Sequence, residues 1–163
     1  MRGAFRAAAL TLALAGLPAG AMAGEPSVLE VSGGAYDANK RRAPAAEFGL
    51  QYRSGGTLFI LHAMAGAMLT TNGALNAYAG FSFDLPLGRA PVVRLSFAPG
   101  YYRAGGGKDL GYPLEFRSGI ELGWRLGAGR VGVELYHLSN ASLARHNPGE
   151  ESLVLTVAFP LHL

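Results

Sequence analysis

Eight stretches of this chain alternate apolar and polar residues with period two, the signature of β-strands with two chemically different faces. They run Val28 to Tyr36, Ala46 to Arg53, Leu58 to Leu69, Leu75 to Leu85, Pro91 to Tyr102, Leu114 to Leu126, Arg130 to Leu138 and Leu153 to Leu163. None shows the i, i+3, i+4 pattern of an amphipathic helix. The polar set is unusual, because Asp84, Arg94, Arg117, Glu121, Arg125 and Glu134 stand mid-stretch, opposite runs of Leu, Phe and Val. Leu58 to Leu69 is apolar on both parities, so its facing stays open.

Two architectures accept that pattern. A soluble sandwich turns the apolar face inward and the charges to water; a small membrane barrel turns the apolar face to lipid and pairs the charges inside. The connections separate them. RSGGT, PLGRAP and GAGR are short and fall on one side, whereas DANKRRAP, RAGGGKDLGYP and NASLARHNPGEE fall on the other with the shorter TTNGA. Short periplasmic turns opposite longer external loops are the pattern of an outer-membrane barrel. An even strand number lets the sheet close without an exposed edge, as a bilayer requires. The expected fold is an all-β, eight-stranded antiparallel transmembrane β-barrel with short periplasmic turns and longer extracellular loops.

The first 23 residues fit export to that location. Arg2 and Arg6 form a positive start, Ala7 to Leu17 an apolar core, and Ala21-Met22-Ala23 a cleavage site, which together predict a signal peptide. The predicted division is residues 1–23 as signal peptide and 24–163 as barrel. The formal charge of +3 includes those two leader arginines, so the remainder is close to neutral. No basic stripe interleaved with aromatics suggests a nucleic-acid partner. With no cysteine, disulfides and thiolate metal sites are excluded.

One stretch carries chemistry: VGVELYHLSNASLARHNPGEE, from Val131 to Glu151. His137 and Ser139 are two residues apart and share parity with Val131, Val133 and Leu135, so both face lipid. Glu151 shares parity with Leu153, Leu155, Val157 and Phe159 and faces the same way; Glu150 faces inward. Polar groups on a lipid face cost about 2–4 kcal/mol when charged at the midplane and roughly 0–1 kcal/mol near the interface, so a cluster at strand ends is tolerable but needs a reason. A serine hydroxyl becomes a nucleophile when a base takes its proton, and His137 is the candidate base. A carboxylate on the other ring nitrogen fixes the tautomer, and Glu151 is the candidate. Asn140, Asn147 and nearby loop groups are candidates to stabilise an oxyanion or support the site.

HLSNAS followed by NPGEE resembles the active-site segment of the PagL family, the outer-membrane lipid A 3-O-deacylases. The resemblance is specific from His137 to Glu151 and looser from Phe116 to the C-terminus; the first half carries no matching motif. It implies an eight-stranded barrel and a Ser-His-Glu hydrolase acting on lipopolysaccharide from the outer leaflet. The family's catalytic residues fall on Ser139, His137 and Glu151, its two asparagines on Asn140 and Asn147, and its Pro-Gly on Pro148-Gly149, with Gly149 counted among the supporting residues.

The expected partners are lipopolysaccharide, through its lipid A, and the membrane itself; no nucleic acid, cofactor or metal is expected, and a homodimer is left open. The alternative is a non-enzymatic small outer-membrane barrel acting in adhesion or membrane integrity; a phospholipase is a third reading. His62 reads as structural and His162 as a periplasmic-rim residue. His146 has no assigned role. Lys40, Arg41, Arg42, Arg103, Lys108 and Arg145 fall in external loops, where they either bind lipid A phosphates or are simply solvated.

Overall fold

A computed structural model describes residues 25–39 and 43–161. The proposed leader, Lys40, Arg41, Arg42 and His162 lie outside the described residues. The strands are β1 (Val28–Tyr36), β2 (Ala45–Leu58), β3 (Leu61–Thr70), β4 (Leu75–Pro86), β5 (Pro91–Arg103), β6 (Leu114–Leu126), β7 (Gly129–Ser139) and β8 (Glu150–Pro160). Each pairs antiparallel with its chain neighbours, and β1 pairs with β8 to close the barrel. Closure leaves no strand edge unpaired, which is what lets a sheet stand in hydrocarbon.

The faces follow the alternation. Phe48, Leu50, Leu95, Ile120, Leu122, Val133, Leu135 and Leu155 point outward and are exposed, forming the apolar band that meets lipid. β3, ambiguous by its pattern, turns Ala63, Ala65, Ala67 and Leu69 outward and His62, Met64, Met68 and Thr70 inward. His62 is buried, with Nδ1 2.9 Å from the Ser54 carbonyl.

The interior carries a network of ion pairs beside buried apolar side chains such as Met64 and Met68. Arg94 grips Asp84 through two hydrogen bonds, of 2.7 and 3.2 Å, and reaches Glu30 and Glu121 at 3.3 and 3.4 Å. Arg130 donates to Glu121 and Glu30, each at 2.8 Å. Arg117 donates to Glu134 at 2.7 Å and lies over the rings of Tyr136 and Tyr78. Glu47 accepts from Tyr136 and, at 2.6 Å, from Ser152. Arg125 is not part of this network; it is partly exposed at the turn end, 3.7 Å from Glu25. A buried charge that loses its partner is strongly destabilising. Glu121→Ala strips a carboxylate shared by Arg94 and Arg130, so it is expected to cost about 3–5 kcal/mol. Heat-induced loss of the folded, faster-migrating gel band would measure it, and an unchanged midpoint would show that the network adds nothing to stability.

Two local features depart from the sequence reading. Ser54, Gly55 and Gly56 are not a turn. They form the bulged end of β2, where the register shifts between Arg53 and Thr57, and the turn is made by Phe59 and Ile60. The glycine is required: a Cβ on Gly55 would sit 1.9 Å from the Glu25 carbonyl oxygen, so the segment kinks where the chain entering β1 packs against it. The second departure is Lys108. It is neither solvated nor free for a phosphate; it is buried, with Nζ 2.9 Å from Asp37 Oδ1.

That pair is part of a plug at the loop end. Tyr36 bonds Tyr102, and Tyr102 donates to the Lys108 carbonyl. Asp37 also accepts from the Ala43 amide, and its own amide donates to Glu150 Oε1 at 2.8 Å. Leu110 is buried with Tyr36, Tyr102, Tyr136 and Leu138. The segment between β5 and β6 thus folds across the mouth of the barrel and presses on the segment between β7 and β8.

Candidate active site

His137 and Ser139 end β7, and Glu151 begins β8, so all three lie at the loop end. β8 starts three residues before the alternation at Leu153 becomes plain, which brings Glu151 into the ladder as the register partner of His137. Antiparallel partners stand about 4.5–5.5 Å apart at Cβ on one face. Here that places His137 Nδ1 3.2 Å from Glu151 Oε1. Ser139 is on the same face of β7, one outward step toward the loop. Both His137 and Glu151 are partly exposed, with side chains 44% and 21% accessible, as a site open to the barrel's surroundings requires. Glu150 points the other way: it is fully buried and its Oε1 accepts from the Asp37 amide and, at 2.8 Å, from Ser152.

The chain leaves β7 abruptly. Ala141 and Ser142 both have positive φ, of 50° and 65°, a conformation that costs a non-glycine residue about 1–2 kcal/mol. Strain of this kind collects at functional sites and is held by surrounding contacts. Asn140 supplies those contacts. Its Nδ2 donates to the carbonyls of Leu110 and His146 at 2.8 and 2.9 Å, and its backbone amide donates to Asn147 Oδ1 at 3.2 Å. The side-chain donors of Asn140 are thereby spent on the two loops. Asn147 keeps its amino group free of hydrogen bonds among the described residues. His146 is exposed and enters the site only through its carbonyl.

Gly149 is the residue whose part the sequence pattern conveys least. It has φ of +61°, and a Cβ there would stand 2.6 Å from Cε1 of His137. The backbone of the returning loop therefore passes close to the imidazole and leaves no room for a side chain there. Gly149→Ala is expected to push the ring away from Glu151 and to strain the loop, lowering turnover by roughly 100-fold, the scale of a displacement of about 1 Å at a reacting group. A folded Gly149→Ala barrel with full turnover would show that this contact does not position the ring.

Ser118, missed by the reading of the sequence, is the partner of His137 on the other side, in β6. Its signal was present: it shares parity with Phe116, Ile120, Leu122 and Trp124 and so faces lipid with them. Arg103 and Arg145 are exposed at the loop end. A cavity of about 170 Å³ lies at the turn end, lined by Glu25, Arg53, Asp84 and Arg130 among others.

The arrangement is a carboxylate–imidazole pair beside a serine on the outer wall of a closed barrel. Comparisons with known proteins agree with the barrel fold. The chain is similar to a solved structure described as the crystal structure of the outer membrane enzyme PagL, with a TM-score of 0.65, 21% identity, and coverage of 82% of this chain and 99% of that one. It is also similar in fold to a de novo designed transmembrane β-barrel, with a TM-score of 0.60, 8% identity, and coverage of 85% and 97%. No curated protein sequence matches the chain. The family model for lipid A 3-O-deacylase (PagL) matches residues 31–160, most of the length, including every strand but the first residues of β1, and so the chain belongs to the PagL family of lipid A 3-O-deacylases.

Proposed function

We propose that this protein is a serine esterase of the bacterial outer membrane that hydrolyses the 3-position 3-hydroxyacyl ester of lipid A. The observation that carries this is the His137–Glu151 contact of 3.2 Å on the lipid-facing wall, with Ser139 beside it. In this reading Ser139 Oγ attacks the ester carbonyl while His137 takes its proton. Glu151 holds the imidazole by Nδ1 and stabilises the imidazolium that forms. The tetrahedral oxyanion is met by donors from the loop after β7; the amides of Ala141 and Ser142 and the amino group of Asn147 make no other hydrogen bond among the described residues. His137 returns the proton to the departing sugar oxygen, and the acyl-enzyme is then hydrolysed by water activated the same way. The loop end is the external end, so the site lies at the level of the outer leaflet's ester bonds, and lipid A reaches it without leaving the membrane.

The test is the mass of lipid A after incubation of lipopolysaccharide with the purified protein in detergent, with phospholipid supplied in a parallel reaction. Loss of one 3-hydroxyacyl chain from the 3-position is expected, with the phospholipid intact. An unchanged lipid A mass refutes the reading in favour of a structural barrel, and cleavage of phospholipid alone refutes it in favour of a phospholipase.

A further inference from the structure

Outward-facing strand positions carry apolar, aromatic or glycine residues almost throughout. Apart from the bulged end of β2 and Arg103 at the loop-end rim, four positions differ: Ser118, His137, Ser139 and Glu151. They are contiguous. Ser118 pairs with His137, His137 pairs with Glu151, and Ser139 pairs with Phe116. Three of the four make up the proposed triad. Ser118 has no part in it, yet it is the one hydroxyl in the outward row of β6, and among the described residues its side chain makes no hydrogen bond. A hydroxyl facing hydrocarbon without a partner is unfavourable, so its place beside the site calls for a polar group that arrives with the substrate.

The geometry says where on the substrate that group is. An ester bound at Ser139, near the loop-end rim, must send its acyl chain along the wall toward the bilayer centre. The next outward row, about 7 Å further along the strands, is Ser118 and His137. The row after that is Ile120 and Leu135, and Leu122 and Val133 follow, all apolar. Ser118 is therefore the first and last polar side chain on the β6 side of that path. Phe97, its partner on β5, stacks with Phe116 at 5.9 Å between ring centres and closes the path on that flank. A 3-hydroxyacyl chain carries its hydroxyl two carbons beyond the carbonyl, toward the Ser118 row. Each hydroxyl both donates and accepts, so the two satisfy one another.

We propose that Ser118 is a specificity residue that hydrogen-bonds the 3-hydroxyl of the acyl chain being removed, and so favours 3-hydroxyacyl over unsubstituted acyl esters. This rests on the esterase reading above. The experiment compares two synthetic acylated glucosamine phosphates, one bearing a 3-O-(3-hydroxymyristoyl) chain and the other a 3-O-myristoyl chain, in detergent micelles. kcat/KM is measured on both for the wild type, Ser118→Ala and Ser118→Thr, each first shown to run as a folded barrel on an unheated gel. The wild type is expected to prefer the hydroxylated ester by roughly 3- to 10-fold, the scale of one hydrogen bond. Ser118→Ala should lose that preference by slowing only on the hydroxylated ester, and Ser118→Thr should keep it. A Ser118→Ala protein that keeps the preference, or slows equally on both esters, overturns the proposal. A wild type inert on both esters instead removes the esterase reading itself, and this inference with it.

Discussion

Ser139→Ala is expected to abolish deacylation, with turnover falling by at least about 1,000-fold, because it removes the proposed nucleophile, the atom that would form the acyl-enzyme. The substitution deletes one oxygen from a half-buried position at the end of β7. It touches none of the interior ion pairs, and Phe116 remains across the ladder. The barrel should therefore fold and resist heat as the wild type does, which separates a chemical loss from a structural one. Lipid A recovered from cells expressing the variant should keep its full mass. Complete deacylation by a folded Ser139→Ala protein would end the assignment of the nucleophile.

Glu151→Ala and Glu150→Ala, adjacent in sequence, should fail in opposite ways. Glu151 faces outward and holds His137. Without it the imidazole loses both its tautomer and the charge that stabilises its protonated form, and turnover should fall roughly 100- to 10,000-fold. Stability should change little, since a contact this exposed adds little to folding. Glu150 is fully buried and accepts hydrogen bonds from the Asp37 amide and Ser152. Its removal leaves the buried Asp37 amide short of an acceptor, at about 1–3 kcal/mol, whereas Ser152 keeps Glu47. Glu150→Ala should therefore melt earlier while the protein that stays folded retains most of its turnover. Paired melting and turnover measurements decide between the two glutamates, and a variant pair with the roles exchanged would refute the facing of both strands.

The contrast between these neighbours shows what is legible in a strand. Successive residues point to opposite faces whatever the rest of the chain does. Parity along Leu153, Leu155 and Val157 was enough to separate Glu151 from Glu150, and along β7 enough to put His137 and Ser139 on the wall. Where both parities are apolar the method stops, as in β3: only the closed barrel decides that Met64 and Met68 go inside and the alanines outside. Glycines mislead when they mark a bulge instead of a turn. Ser54-Gly55-Gly56 has the composition of a reversal, yet it continues β2 because the chain entering β1 needs the space at Gly55.

By itself, then, the sequence determined the strand count, the barrel over the sandwich, and the outward facing of Ser139, His137 and Glu151, because each of these follows from a period of two and from loop lengths, which are local properties. The tertiary structure decided everything that depends on the stagger between strands or on the path of a loop. Register set Glu151 beside His137 and put Ser118 on the far side of the same ring. Loop packing sent Lys108 to Asp37, spent the Asn140 amide on two carbonyls, and laid Gly149 against the imidazole. These contacts join residues far apart in the chain or through a non-repeating backbone, and no periodicity along one strand encodes them.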